Sequence, residues 1–386
     1  MPHALLSRLR LIALCWIPVA VAIYVFDLLR QTREGLSDGA GRPFGDDFVN
    51  FFSGSYLAWH GRAAEVYDWN AFHAFEVSVT GPSLGLYHYS YPPALLLVGV
   101  PLAFVGYLPG FFLWVGGGWL AFYRTLALIA SNRTALLLSL ATPGVFINSV
   151  NGQTGTWTAA LFGGGLALLN RRPAVAGVLF GLLICKPQLG ILLPVALAAG
   201  RQWRAFIAAA LTVLLLTGAS AILFGADIWP AYFKHAEVLR QNVLESGEGV
   251  WHRMVSVFVA ARRLGLDPAA AYLAQALAAV PVGIVVALAW VRNAPPAARY
   301  ALLVLGTWLA TPYLQDYDLV IGAFVVLWLR ELYPDLPRPV LISAGLILIL
   351  PFVAAALANL TGFAFGPLFI APAFILVARA ALASQR

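Results

Sequence analysis

Apolar runs recur along this chain from one end to the other, and most of the polar gaps between them are too short to fold alone. The runs are Leu11 to Phe26, Ala94 to Gly106, Leu108 to Ala130, Ala135 to Val150, Thr154 to Leu169, Ala174 to Ala199, Ala205 to Phe224, Ala270 to Val291, Tyr300 to Leu314, Leu319 to Leu329, Val340 to Leu357 and Phe365 to Val377. Counted one crossing each, they predict about twelve transmembrane helices, although several are shorter than the ~20 residues of a straight span. Short runs interrupted by Gly and Pro belong around a cavity, where protein or water can satisfy the irregular backbone. The pattern predicts an all-α polytopic membrane protein with one integral domain over residues 1–386. Charged residues make up only 11% of the chain, against about 25% in a soluble domain.

The net charge of +7 would suggest a nucleic-acid partner in a soluble protein. Here Lys and Arg sit mainly at the ends of apolar runs, which is how positive charge sets membrane topology, so no nucleic acid is expected. Arg8 and Arg10 place the N-terminus in the cytoplasm, and the loop over residues 27–93 is then outside. Parity puts the loop over 225–264 and the segment Thr311 to Asp318 outside as well. It puts Arg201, Arg204, Arg292, Arg299, Arg330, Arg379 and Arg386 inside. Arg171-Arg172 is the exception: either that loop breaks the rule, or the run holding Lys186-Pro187 is a re-entrant hairpin and the count is wrong by one. The first run has no small-residue cleavage site and reads as a retained helix. Cys15 and Cys185 lie within apolar runs, where a thiol acts as a small hydrophobe.

The first outside loop carries the stretch Gly45-Asp46-Asp47-Phe48-Val49-Asn50-Phe51-Phe52. Phe48, Phe51, Phe52 and Trp59 recur near helical spacing with Asn50 and Ser53 turned away, and Asp68 N-caps a second helix bearing Trp69, Phe72 and Val79. Both read as interfacial helices. A carboxylate at a helix N-terminus is held ionised by the dipole and can take a proton from a hydroxyl. Asp46-Asp47 could equally be only a cap and a solvated turn. Lys186 inside an apolar run signals function, with snorkelling or carbonyl pairing as the plainer role. Asn151-Gly152-Gln153 is a turn or part of a site; Asp316 and Asp318 are caps or site groups; His88 is a belt aromatic or a ligand contact. In the second loop Lys234, His235, Arg240, His252 and Arg253 outnumber Glu245 and Glu248, which suits an anionic partner. No zinc spacing, P-loop, dinucleotide fingerprint or nucleophile elbow is present, so no cofactor and no metal are expected.

Four pieces of the chain then point to a family. They are Asp47-Phe48 with Tyr56-Leu57-Ala58, Gly61 and Tyr67-Asp68; Tyr91-Pro92-Pro93 with Pro101-Leu102; Gly152-Gln153 with Ala176-Gly177, Gly181 and Lys186-Pro187-Gln188; and Thr311-Pro312-Tyr313 with Tyr317-Asp318-Leu319. In this order and placement the sequence resembles glycosyltransferase family 87, the polyprenol-phosphate-sugar-dependent, mannosyltransferase-like proteins of the GT-C superfamily. The resemblance implies a GT-C fold with juxtamembrane helices in the first outside loop, in a bacterial cytoplasmic membrane with its active site facing the periplasm or cell exterior. It implies Asp47 as general base, with Asp46 as a possible substitute, and inversion at the sugar. The donor would be polyprenyl-phosphate mannose and the acceptor a lipid or glycan, all meeting among membrane lipids. Lys186, His252 and Arg253 are candidates for the donor phosphate; His88, Gln153 and Asp318 are candidates for sugar or acceptor hydroxyls. The rivals are a polytopic transporter or lipid flippase, against which no repeat relates the two halves, and a non-catalytic membrane subunit.

Overall fold

A computed structural model of the protein describes residues 2–247 and 249–383, with side chains from Arg10 onward. The side chain of Arg8, and Glu248 and Arg386 altogether, lie outside the described residues. Among the described residues every regular element is a helix.

The chain opens with α1 (Pro2–Arg30), whose last turn meets the loop that carries Asp46. There Arg42 donates to Asp27 at 3.1 and 3.2 Å, and Gln31 accepts from the Gly45 amide at 2.7 Å. Next come α2 (Phe48–Trp59) and α3 (Trp69–Thr80). As expected, the Asp68 carboxylate caps α3 by accepting from the Ala71 amide at 2.8 Å. Contrary to the interfacial reading, α2 is buried on nearly every side. Its aromatic face packs edge-on against Tyr107 and Phe111, so the helix is wrapped by protein instead of lying on a surface.

The run Ala94 to Gly106 forms α4 (Ala94–Val98) and α5 (Val100–Ala103). They break at Gly99, which is pressed against the Ser55 side chain, and Pro101 opens the second. At about 1.5 Å per residue neither can cross ~30 Å of hydrocarbon. Both pack on α2, and α6 (Tyr107–Leu126) starts from the same end, where the Tyr107 hydroxyl donates to the Phe44 carbonyl at 2.7 Å. α6 leads to the remote end. A broken pair, α7 (Asn132–Ala141) and α8 (Pro143–Val150), returns, and α9 (Gly155–Leu168) leads away again. Arg171 and Arg172 therefore share the remote end with Arg124 and Arg133.

The next run is a re-entrant hairpin. α10 (Pro173–Leu182) rises, two three-ten turns over Leu183–Cys185 and Pro187–Gly190 reverse the chain at Lys186, and α11 (Leu193–Ala199) descends. Its end at Gly200 abuts Trp290, in the last turn of α15. Two of the twelve apolar runs thus do not pass from one end to the other. With the first removed from the count, Arg171-Arg172 no longer breaks the charge rule.

The remaining helices are α12 (Trp203–Phe224), α13 (Ile228–Leu239), α14 (Val257–Arg263), α15 (Pro268–Val291), α16 (Pro296–Ala310), α17 (Gly322–Leu332), α18 (Arg338–Thr361) and α19 (Gly366–Ala383). Among the described residues, five helices are long and apolar enough to cross a membrane: α1 from Arg10, α12, α15, α18 and α19. Such a set makes this a multi-pass membrane protein. α16 is the axis of the core, buried at every residue from Ala297 to Ala310, as a helix that is apolar all round should be. Among the described residues only Glu331 and Asp335 carry a carboxylate at the remote end, while the other carboxylates gather at the end that holds Lys186.

The hairpin is seated by small residues. Gly177 and Gly181, four apart on α10, face α12 so closely that a Cβ on Gly177 would run into the Ala205 carbonyl and the Ala208 side chain. Close backbone approach through small residues is how apolar helices pack without a hydrophobic drive. Gly177→Leu should therefore lower stability by about 1–3 kcal/mol through overpacking, read as a lower midpoint of thermal unfolding in detergent. An unchanged midpoint would mean that α10 does not depend on this contact.

Candidate active site

At the carboxylate-rich end a cavity of about 870 Å³ opens between the first loop, the turn after α8, the hairpin tip, the second loop and residues 313–317. Its wall includes Asp46, Asp47, His88, Gln153, Lys186, His252 and Arg253. Seven of the eight site residues read from the sequence thus converge from segments far apart in the chain. Asp318 does not line it.

The two adjacent carboxylates have different environments. Asp46 takes a left-handed backbone, φ 49°, and its carboxylate is held by the Arg42 guanidinium and by the Tyr87 hydroxyl at 2.9 Å. Arg42 in turn grips Asp27, so Asp46 ties the loop to the end of α1. Asp47 precedes α2 but makes no side-chain cap hydrogen bond. Its carboxylate accepts from the Gln153 amide at 2.8 Å, and among the described residues no cation forms an ion pair with it. Burial raises its pKa, Arg253 pulls it down, the Asp46 charge pushes it up, and Gln153 and Lys186 pull it down; the net shift is upward. Desolvation thus works against the ionised form expected of a carboxylate at a helix N-terminus.

Gln153 commits both ends of its amide inside the protein. Its oxygen accepts from the Tyr91 hydroxyl at 3.0 Å and the Thr154 amide at 3.1 Å, so it orients Asp47 and has no free acceptor for a sugar. The turn that delivers it needs Gly152, at φ 55°, because a Cβ there would strike the Gly45 carbonyl and Phe48.

Lys186 stands at the hairpin tip with its ammonium 2.6 Å from Asp318, the side chains being 3% and 0% exposed. Its Nζ also lies 4.4 Å from the Tyr317 ring centroid and 5.9 Å from that of Tyr91. Asp318 accepts in addition from the Gln315 amide at 3.2 Å. Its assignment to sugar hydroxyls is therefore corrected: it is the counter-ion behind the lysine. Arg253 makes a fork to Asp316 at 3.1 and 3.0 Å, donates to the Asn151 side chain at 2.7 Å and covers Tyr317 at 5.2 Å. Burial alone would lower its pKa, yet Asp316 and then Asp47 hold it above the ordinary arginine value. The second loop is stitched to this segment where the Val255 amide donates to the Leu314 carbonyl at 2.9 Å.

The histidines are neutral partners. His88 stacks on Trp69, with ring centroids 5.4 Å apart at 17°, and burial, then His235, pushes it down to about 4. Burial and then Arg253 lower His252, so it offers hydrogen bonds and not charge.

The family's sequence pattern, that of glycosyltransferase family 87, matches residues 89–312, more than half of the chain. The chain belongs to glycosyltransferase family 87. No curated protein and no solved structure matches it. The family 87 match takes in Gln153, Lys186, His252 and Arg253, whereas Asp46, Asp47, His88, Asp316 and Asp318 lie outside it; only the fold brings the two sets together.

Sequence reasoning missed Arg42, Tyr87 and Glu76. Arg42 reads as an ordinary loop charge, because its i,i+4 partner Asp46 is local while its other partner, Asp27, comes from α1 fifteen residues back. Glu76 left a signal: it follows Phe72 by four residues and precedes Val79 by three, so it shares their buried face.

Separating the buried pair should be costly. Lys186→Met or Asp318→Asn alone should each lower stability by about 3–5 kcal/mol, while Lys186→Met with Asp318→Leu recovers most of that loss. Thermal unfolding of the three variants checks this, and equal losses in all three would contradict it. A histidine held at about 4 binds its proton in the unfolded chain first, below the ordinary value of about 6.5. Its contribution is thus complete above pH 6.5 and is lost as pH falls toward 4. His88→Gln should flatten the acid side of the stability profile relative to the native protein.

Proposed function

We propose that this family 87 glycosyltransferase moves mannose from a polyprenyl-phosphate-linked donor to a hydroxyl of a lipid or glycan acceptor. The reaction is a single displacement with inversion, at the outer face of a bacterial cytoplasmic membrane. The observation that carries this reading is a carboxylate without an ion-pair partner, Asp47, in the same cavity as two cations, Lys186 and Arg253. A base and an anion-binding surface are what transfer from a sugar phosphate requires.

In the displacement, Asp47 takes the acceptor hydroxyl proton as that oxygen bonds to the anomeric carbon. The bond from that carbon to the phosphate oxygen breaks, and its electron pair leaves on the polyprenyl phosphate. Lys186 uses one of its donors on Asp318 and has others for the phosphate. Arg253 and the neutral His252 add to that surface, and His88 on its Trp69 platform meets sugar or acceptor hydroxyls. Gln153 keeps Asp47 aimed. Asp46, neutralised by Arg42, holds the loop. Ile147, Leu239, Val243 and Ala355 supply an apolar wall suited to a lipid-linked donor. The arginines at the remote end support a cytoplasmic position for that end by the positive-inside rule, with the cavity then on the opposite side.

Labelled transfer from polyprenyl-phosphate mannose in proteoliposomes tests the reading. Asp47→Asn should cut turnover by about 10²–10⁴-fold with donor binding kept, whereas Asp46→Asn loses less, through loop position. Because the base must be ionised and burial raises its pKa, native turnover should rise with pH through a midpoint above the ordinary aspartate range. Transfer by Asp47→Asn equal to native would remove the base from this loop.

A further inference from the structure

A second acid lies behind Asp47, on α3. Glu76 is fully buried, and neither of its carboxyl oxygens makes a hydrogen bond within the protein. Buried polar atoms are satisfied by protein or by water in the great majority of cases, so two orphaned oxygens on one acid require a role.

They belong to a set. Asp47, Asn50 and Ser53 recur every three residues and wind along one side of α2. Asn50 lines the cavity, and Asn50 Oδ1 and Ser53 Oγ are also buried without a partner. α3 packs on α2, with Phe75 stacked against Tyr56 at 5.3 Å, and Glu76 is on its inward face with Phe72 and Thr80. The level is set by Tyr107, which rests on Phe48 and Phe52 of α2 and feels the Glu76 charge. One turn earlier on α3, His73 Nδ1 is 3.9 Å from Glu76 Oε2, makes no hydrogen bond, and belongs to a side chain 27% exposed.

We propose that Asn50, Ser53, Glu76 and His73 form a proton-exit track that clears Asp47 after each transfer and delivers the proton to solvent at His73. The inference rests on Asp47 being the base. After the sugar has moved, Asp47 carries the acceptor's proton and must lose it before the next turnover. The proton passes by way of water held at Asn50 Oδ1 and Ser53 Oγ to one oxygen of Glu76, while the proton on its other oxygen goes to His73 Nδ1. His73, then protonated on both nitrogens, releases its Nε2 proton to solvent; Asp47 is ionised again, and rotation of the Glu76 carboxyl with tautomer exchange at His73 resets the track. No oxidant or co-reactant is needed. A carboxyl group relays in this way only while protonated at the start, and burial, reinforced by the Asp47 charge, raises Glu76 to about 9. The titratable groups facing it are His73 on its own helix, Asp47 at the head of α2 and Tyr107 on α6.

Glu76→Gln keeps the shape of the neutral acid and cannot pass a proton. Infrared titration of the protein in detergent should show a protonated carboxyl band that persists at neutral pH and disappears near pH 9. The band should be absent from Glu76→Gln, and Asp47→Asn should move its midpoint down. In proteoliposomes with polyprenyl-phosphate mannose, Glu76→Gln should lower kcat about tenfold or more with donor KM unchanged, Glu76→Asp should restore part of it, and His73→Phe should also slow turnover. A merely structural acid would leave kcat of the Gln variant at the native value, and that result overturns the track. So does a midpoint that Asp47→Asn leaves in place, a readout independent of transfer. If the native protein moves no sugar from this donor while the midpoint still follows Asp47, the proposed donor is wrong and the link between the two acids stands.

Discussion

The contact on which the arrangement depends is the buried pair of Lys186 and Asp318, 2.6 Å apart and withdrawn from water. Either charge alone at that depth would cost several kcal/mol, so the hairpin tip and the segment after α16 are constrained to meet. That meeting sets the cavity's rear wall. From the same segment Asp316 reaches Arg253 and ties down the second loop, while Asn151 joins the other side of that guanidinium. Two acids two residues apart thus neutralise two cations from different parts of the chain.

With those charges matched and Asp46 occupied by Arg42, Asp47 is, among the described residues, the cavity carboxylate without an ion pair. Its basicity comes from competition. Desolvation favours the protonated form of Asp47, Arg253 and Lys186 favour the ionised one, and burial is the larger influence. The cations nonetheless limit the rise, which keeps the group usable as a base. Glu76, farther from any cation, has no such restraint, and its pKa is raised to about 9. The same two factors, burial and the pull of nearby cations, separate the proposed base from the proposed relay.

Much of this was legible in the sequence, and the failures have local causes. The apolar runs identified the class and most helices, and the misplaced charge of Arg171-Arg172 flagged that one run did not cross. The fault lay in the run at Ala94, where Gly99 and Pro101 split an apolar stretch that hydropathy reads as continuous. The Lys186 hairpin was foreseen as an alternative because Lys186-Pro187 interrupts the run. Asp318 is the cap that the sequence offered and a buried counter-ion as well, and the second role cannot be read without the partner, which lies 132 residues away. For the same reason Asp46 and Asp47 could not be separated: Arg42, Tyr87 and Gln153 distinguish them only in three dimensions. α2 looked interfacial because its aromatic stripe is the same whether lipid or Tyr107 and Phe111 cover it.

The separation between Lys186 and Asp318 also bears on how the protein is made. Synthesis at about 5–20 residues per second leaves an interval on the order of ten seconds between the emergence of the lysine and that of its counter-ion. Throughout it the tip of the hairpin is a bare ammonium on two helices of ten and seven residues, too short to settle as spans of their own. Until the segment bearing Asp318 arrives, that ammonium at its final depth would carry the cost of an unpaired buried charge. A chain that stops before that point leaves Lys186 without its counter-ion and the cavity without the wall that residues 313–317 supply.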